Sequence, residues 1–442
     1  MTSRQRLLSR YEQLTNHDPL TRRALLGSLA RSAFGLTVLS ALEPLCGLGL
    51  LATEPGRPRP RARACIYLYM NGGMSHLDTF DPKPGHAAAG PVKAIASNVD
   101  GLQLTENLPL LAKQADKVAV IRSLTSNQGA HEQGEYLMRT SYAMRGTIKH
   151  PTLGAWSANL LGTANPTLPA YITIGAGSNH PGAGYMESRF TPLPLGNPEQ
   201  GLPNSTRPDG VTAEEYAHRL ELLKGFNAPF QQKYDAKEVR AYRDLYDDAV
   251  TLMGSKDLAA FDLKREPESM RSAYGANAFG QGCLLARRLV ENDVRFVEVG
   301  LDGWDTHDDN FDRVADQATV LDRGLSTLLA DLTARGMLAE TLVVVATEFG
   351  RSPGINQNQG RDHHPKAFSG LLAGGGIGGG RVHGQTSENG GEVVKDPVLI
   401  TDFNATIAKA LGLPLDKVLT SPSGRPFTIA DKGKPLRELF VS

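Results

Sequence analysis

Four short stretches of this chain crowd carboxylates and imidazoles together: residues 71–81 (NGGMSHLDTFD), 300–310 (GLDGWDTHDDN), 347–352 (TEFGRS) and 361–365 (RDHHP). These are the side chains that zinc, manganese or iron prefer as ligands. Asp305 and His307 are one residue apart, so on an extended segment both can point to one face. His363 and His364 are adjacent and point apart on a strand, so one of them binds unless the backbone turns. Desolvating so many carboxylates without a cation is costly. The duller alternative is that some are solvated or cap helices, and Asp308 and Asp309 are the candidates for that role. A fifth stretch, residues 126–140 (SNQGAHEQGEYLMRT), reads as a loop opening a helix with His131 in its first turn. Free N–H groups and the helix dipole favour an anion there, such as phosphate or sulfate, and a helix start with no ligand is the alternative.

The elements that must position these residues are legible as apolar runs. Residues 65–70 (CIYLYM), 118–121, 170–174, 295–299 (RFVEV), 342–346 (LVVVA) and 369–373 (SGLLA) are near-continuous in apolar character, which predicts central strands covered on both faces. Helical patterns at 282–292 and 318–335 lie between them, and the alternation predicts a doubly wound, mostly parallel sheet. In such sheets ligands bind beyond the carboxyl ends of the strands, where the polar clusters fall. Residues 175–208 are rich in Gly, Pro, Asn and Ser and read as a long surface excursion. Residues 213–286 read as largely helical, with an insertion or cap at about 209–275. Neither a G-x-G-x-x-G fingerprint nor a Walker loop is present, since the GGGIGGG run at 374–380 precedes no helix-forming stretch.

Forty-seven basic residues balance forty-seven acidic ones, so no global field attracts nucleic acid or an anionic membrane. Three cysteines make no disulfide framework, and Cys65 and Cys283 sit in apolar runs as buried thiols. Thr21-Arg22-Arg23-Ala24-Leu25-Leu26 followed by apolar stretches at 34–42 and 45–52 has the layout of a twin-arginine leader. Arg31, Glu43 and Pro44 break the stretch below the ~20 apolar residues of a membrane span. The expected organisation is a twin-arginine signal segment at 1–52, a basic Pro-rich linker at 53–63 and one domain at 64–442. The mature protein is then exported to the periplasm or beyond, with no stable membrane span. Nothing in the sequence sets its oligomeric state.

The stretches IYLYMNGGMSHLDTFDPKP, AFDLKREPESMRSAYG, GCLLARRLVENDVRFVEVGLDGWDTHDDNF, TLVVVATEFGRSP and DHHPKAFSGLLAGGGIGGGRVHGQT resemble, in order from about residue 64 to 413, the bacterial secreted family catalogued as domain of unknown function 1501. That family carries twin-arginine leaders and is grouped with the alkaline phosphatase/sulfatase superfamily. The resemblance implies an α/β three-layer sandwich, alkaline-phosphatase-like, with a mostly parallel central sheet flanked by helices and a metal site at its edge. Matched residue by residue, the superfamily's first metal-binding Asp is similar to Asn71 here, and its hydroxyl nucleophile falls on His131. Its Asp-His pair becomes Glu348-Phe349, its Asp with a following His resembles Asp305 and His307, and its final His fits His363 or His364.

These departures imply one divalent metal, zinc or manganese, rather than two, held by Asp305, His307, Glu348 and His364 or His363. His131 then serves as nucleophile or general acid/base, and Arg351 neutralises the anion. The expected activity is hydrolysis of phosphate, sulfate or related esters of small molecules or glycans. The competing expectation is a non-catalytic binding or scaffold protein on the same platform.

Overall fold

The computed structural model describes residues 61–442, with Ser178, Asp235 and Ser442 excepted. The paired arginines, the apolar leader and most of the basic linker lie outside the described residues. Strand β1 (Ala64–Met70) is buried along its whole length. Ile66, Leu68 and Met70 enter one core while Cys65, Tyr67 and Tyr69 enter the other, which is the period-two alternation of a strand covered on both sides. Then come β2 (Val118–Thr125), β3 (Tyr171–Ile174), β4 (Leu193–Leu195), β5 (Phe296–Leu301) and β6 (Thr341–Ala346). A small hairpin of β7 (Gly350–Arg351) and β8 (His363–His364) precedes β9 (Phe368–Ala373), β10 (Arg381–His383) and β11 (Val398–Leu399). The nine-stranded main sheet has the order β10-β2-β9-β6-β1-β5-β3-β4, with β11 also on β2. Only β9 runs antiparallel to its neighbours.

The longer helices are α1 (His131–Thr140), α2 (Leu153–Leu161), α3 (Ala213–Lys233), α4 (Lys237–Met253), α5 (Ala278–Glu291), α6 (Asn310–Ala334) and α7 (Ile400–Ala410). α5 and α6 cover the face that receives Ile66 and Leu68; α1, α2 and α7 cover the other. The result is the expected three-layer α/β sandwich. α6 shows why: Val314, Ala318, Leu321, Leu325, Leu328 and Leu332 step by four and three and are all fully buried, one apolar stripe laid on the sheet. Each Val or Leu of the stripe adds roughly 1.5–3 kcal/mol by leaving water.

Two expectations shift. The 175–208 excursion contains β4, the edge strand of the main sheet, where Leu193 pairs with Ile172. Pro194 at its centre suits an edge, where an N–H is dispensable, and three residues are too few to show a period. The helical region divides in two: α5 is a core helix, and α3 with α4 form the outlying insertion. Among the described residues, no helix is long and apolar enough to cross a membrane.

The register of β1 decides where the polar clusters meet. Tyr69 lies opposite Gly300 of β5 and Ala346 of β6, so three parallel strands end together. The segments after them emerge at one edge of the sheet, beside the β7–β8 hairpin.

Candidate metal centre

After β1 the chain turns on Gly72 and Gly73, with φ of 115° and 78°. A Cβ on Gly72 would lie 2.4 Å from the backbone nitrogen of Asp305. Glycine therefore lets this turn press against the loop that carries Asp305 and His307. Asn71 O accepts from Trp304 N at 3.2 Å, fixing that approach. His131 comes from the first position of α1, and His363 from β8, paired with Arg351 across the hairpin.

Ligand atoms of His131, Asp305 and His363 converge within 4.8 Å of one another, and His307 flanks Asp305 and His363. Oδ1 of Asp305 is 3.4 Å from Nε2 of His131, 3.1 Å from Nε2 of His307 and 3.4 Å from Nε2 of His363. The Nε2 atoms of His307 and His363 are 2.9 Å apart. Ligands at about 2.0–2.1 Å around a tetrahedral ion are separated by about 3.3 Å, close to the distances from Asp305 to the three imidazoles. Phe349 is fully buried and packs on the imidazoles of His131 and His363, with ring centroids 5.1 and 4.6 Å away. Asp305 and His307 are about half exposed, and His131 and His363 are partly exposed.

Each imidazole is pinned at its other nitrogen by an acceptor. Nδ1 of His131 meets Oε1 of Glu348 at 2.8 Å, Nδ1 of His307 meets Oδ1 of Asp362 at 3.0 Å, and Nδ1 of His363 meets Gly129 O at 2.8 Å. Carboxylates and carbonyls accept, so each Nδ1 carries a proton, and each Nε2 of a neutral ring turns a lone pair toward the cluster. Two such lone pairs at 2.9 Å repel unless a proton or a metal cation lies between them. Nε2 of His131 is buried and makes no hydrogen bond, an orphaned donor atom of the kind a metal would satisfy. Burial by itself would raise the Asp305 carboxyl. The hydrogen bond and charge of Arg351, with His131 and His307 alongside, bring it down to about 2 instead. The hydrogen bond to Glu348 raises the His131 imidazole above the usual range, and burial lowers that of His363.

Residues 62–440 match the family described as "Protein of unknown function (DUF1501)". The chain belongs to this family. No functionally curated protein matches it. Among solved structures it is similar to the PsFucS1 sulfatase from Pseudoalteromonas sp., at 13% identity over 87% of this chain and 73% of that one, TM-score 0.40. It is also similar to a protein in the alkaline phosphatase superfamily from Vibrio parahaemolyticus, at 10% identity over 87% and 74%, TM-score 0.39. An alkaline phosphatase from the Antarctic bacterium TAB5 is a third, at 11% identity over 74% and 95%, TM-score 0.32. These likenesses are distant.

In this DUF1501 chain the structure redistributes the roles expected from sequence. Asp305, His307 and His363 come together, and His131 joins them. His364 does not: its Nε2 meets Gly391 O at 2.6 Å, because adjacent strand residues face opposite ways and its neighbour took the inward side. Glu348 is fully buried. Its oxygens are taken by His131 Nδ1 and Gly72 N at 2.8 Å and by the Tyr69 hydroxyl at 3.2 Å, so it orients a ligand and does not itself face the open side. Arg351 is likewise fully buried, donating to Asp305 Oδ1 at 2.6 Å and to the carbonyls of Gly72, Gly73 and Arg361. It is a strut for Asp305, with no guanidinium edge turned to solvent for a substrate anion. Asn71 spends its amide on Asp302 Oδ1 at 2.8 Å and Arg139 at 3.3 Å. Asp309 does stand at the N-cap of α6, but its side chain makes no capping bond, and Asp308 pairs with Arg313.

A buried ion pair that local spacing does not reveal ties the loops of the site together. Arg361 and Asp78 are both fully buried and meet side by side, Nε to Oδ2 at 2.9 Å and Nη2 to Oδ1 at 3.1 Å. The remaining Arg361 N–H groups reach the carbonyls of Ser352, Pro353 and Ala88. Asp78 also accepts from Ser75 and Asn310. The pair ties the loop before His363 to the turn after β1. Nothing in local spacing links positions 78 and 361; only the presence of both charges in the polar clusters was visible.

Proposed function

We propose that His131, Asp305 and His363, with His307 beside them, hold one divalent transition metal, that the chain is exported, and that it hydrolyses phosphate, sulfate or related esters at that centre. The observation that carries this reading is the convergence of His131, Asp305 and His363 within 4.8 Å, with His307 beside them and each imidazole pinned at Nδ1. A zinc or manganese ion there would supply Lewis acidity toward an ester oxygen. The protein's own residues supply the rest. Glu348, Asp362 and Gly129 O hold the three rings in the liganding tautomer. Arg351 keeps Asp305 ionised and aimed. The first turn of α1 begins at His131 and its N-cap, Ala130, makes no side-chain cap bond. Its free N–H groups lie beside the centre and favour an anionic ester group.

On this reading His131 moves from nucleophile to ligand, since its Nε2 points into the cluster and its Nδ1 is engaged by Glu348. That also motivates a second reading, a metal- or glycan-binding protein without turnover, because no hydroxyl stands at the start of α1. Elemental analysis of the purified protein, beside His131→Ala, Asp305→Ala and His363→Ala, tests the centre: one transition metal per wild-type chain, lost in all three, is expected. Assays of aryl phosphates and aryl sulfates on the loaded protein then separate the readings. Metal-dependent cleavage supports the hydrolase, full occupancy without turnover supports the binding protein, and no metal after reconstitution sinks both metal readings.

A further inference from the structure

We propose that a pocket on the outer side of β2, separate from the metal centre, binds an oxyanion group: the carboxylate, sulfate or phosphate of a small molecule. The pocket begins with a break in the sheet. β10 pairs with β2 as far as Ile121, and β11 takes up the pairing at Leu124. Between them, beside Arg122 and Ser123, the outer chain leaves the sheet for residues 384–397. Gly384 makes the step: its φ is 73°, and a Cβ there would lie 1.9 Å from Oγ of Ser123. Glycine is required on both counts. The space beside this excursion is about 390 Å³, and its lining includes Asp81, Lys83, Arg122, Val382, His383 and Lys395. Small-molecule sites span about 300–1,000 Å³.

The charges of this pocket do not cancel. Asp81 is buried and closes the first polar cluster of the sequence, yet it takes no part in the metal centre. Its Oδ2 lies 3.1 Å from Nζ of Lys83 and its Oδ1 3.4 Å from Nε of Arg122, and it accepts from the Thr386 hydroxyl. One carboxylate therefore serves two cations, whose side chains are only 12% and 18% exposed. At the rim Lys395 and Asp396 are both exposed and offset one another. His383 turns Nδ1 toward the exposed Glu438, 3.5 Å away. One positive charge is left over in a half-buried place, where screening is weak. Burial pulls the Arg122 guanidinium below its ordinary range, and Asp81 offsets this only in part.

Hydrogen-bond donors are left over as well. Arg122 gives Nε to Phe80 O at 2.9 Å and Nη2 to Gln103 O at 2.6 Å, which fixes the plane of its guanidinium. Its Nη1 has no protein partner among the described residues, and Lys83 directs its ammonium at Asp81 with donors to spare. Fixed cationic donors that lack acceptors suit an oxyanion, and a neutral or cationic ligand would leave the surplus charge unmet. Were Lys83 and Arg122 only counterions for Asp81, one of them would suffice.

Isothermal titration of the full chain with inorganic sulfate and with D-glucuronate tests this. Glucuronate sets a carboxylate on a sugar-sized frame and carries no ester for the metal centre to cleave. One saturable site per chain is expected, shared by both anions, with no binding of glucose. Tighter glucuronate assigns the pocket to an organic anion and tighter sulfate to a free oxyanion; either result keeps the site. Lys83→Met should weaken binding by at least about tenfold, the worth of one charge-assisted hydrogen bond, while Arg122 still neutralises Asp81. Val382→Glu, on an exposed wall of the pocket, should also weaken it while removing no ion pair, so it decides the outcome if Lys83→Met fails to fold. His363→Ala should bind as the wild type does, so failure of the metal reading leaves this test intact. The proposal is overturned if neither anion binds saturably, if glucose binds equally, if folded Lys83→Met or Val382→Glu keeps wild-type affinity, or if His363→Ala abolishes binding.

Discussion

At the scale of single residues, the roles within the centre follow from what lies on the far side of each ring. A carboxylate behind a liganding imidazole fixes its tautomer and strengthens its lone pair, and losing such a partner typically costs 10–100-fold in metal affinity. Glu348→Gln keeps the shape and removes the charge. Its zinc affinity, read by competition with a chelator, should fall within that range, and an unchanged affinity would refute the positioning role given to Glu348. His364→Ala, by contrast, should keep full metal content, because His364 serves Gly391 O. Metal loss in that variant would show that the two adjacent histidines had been assigned the wrong way round.

At the scale of elements, the centre is assembled from three strand ends, a hairpin and the start of α1, and something must hold segments of such different origin together. The buried Arg361–Asp78 pair does so by joining residues far apart in the chain with every guanidinium N–H satisfied. Removing one partner of a buried pair strands the other charge, at a cost of about 3–5 kcal/mol. Arg361→Ala should lower the urea midpoint accordingly. Asp78→Ala with Arg361→Ala should recover part of the loss, since no bare charge remains. Equal midpoints for the wild type and the single variant would show that the loops are held elsewhere.

At the scale of the whole molecule, acid sensitivity should come from buried neutral histidines. Burial pushes the His76 imidazole down to about 4, and burial with the nearby Arg145 does the same to His150. Both rings are buried, and His150 lies stacked against Tyr142. Because the folded pKa lies below the unfolded value, the unfolded chain takes up protons first as pH falls. Stability from these two groups is complete above about pH 6.5 and is lost toward pH 4, by up to about 1.4 kcal/mol per pH unit for each group. Glu298 has the opposite history: burial would raise it, but Arg139 and His180 hold it at about 2. Its contribution is present above pH 4.5 and lost only as pH falls toward 2, below the histidine window. Urea unfolding of metal-stripped protein should therefore show a midpoint falling between pH 6.5 and 4.5, and a smaller fall in His150→Phe. A flat midpoint across that window would contradict the assignment.

The sequence by itself determined the layers and the edge at which chemistry sits. Runs such as CIYLYM and LVVVA are apolar on both faces, so they become central strands, and polar residues placed directly after them have only the sheet's carboxyl edge to occupy. Asp305, His307 and His363 were legible for that reason, as was His131 at a helix start. Which of two adjacent histidines turns inward was not, because it depends on the register of His363 opposite Arg351 in a two-residue hairpin. Local pattern also could not distinguish a carboxylate that faces the cluster from one that stands behind a ring, so Glu348 looked like a ligand. Arg351 looked free, since its burial is created by Gly72, Gly73 and Asp305 arriving from other strands. The pairing of Arg361 with Asp78 was invisible for the same reason. Secondary structure is set by neighbours in the chain, whereas the division of a polar cluster into ligands, struts and anchors is set by which strand ends the fold brings together.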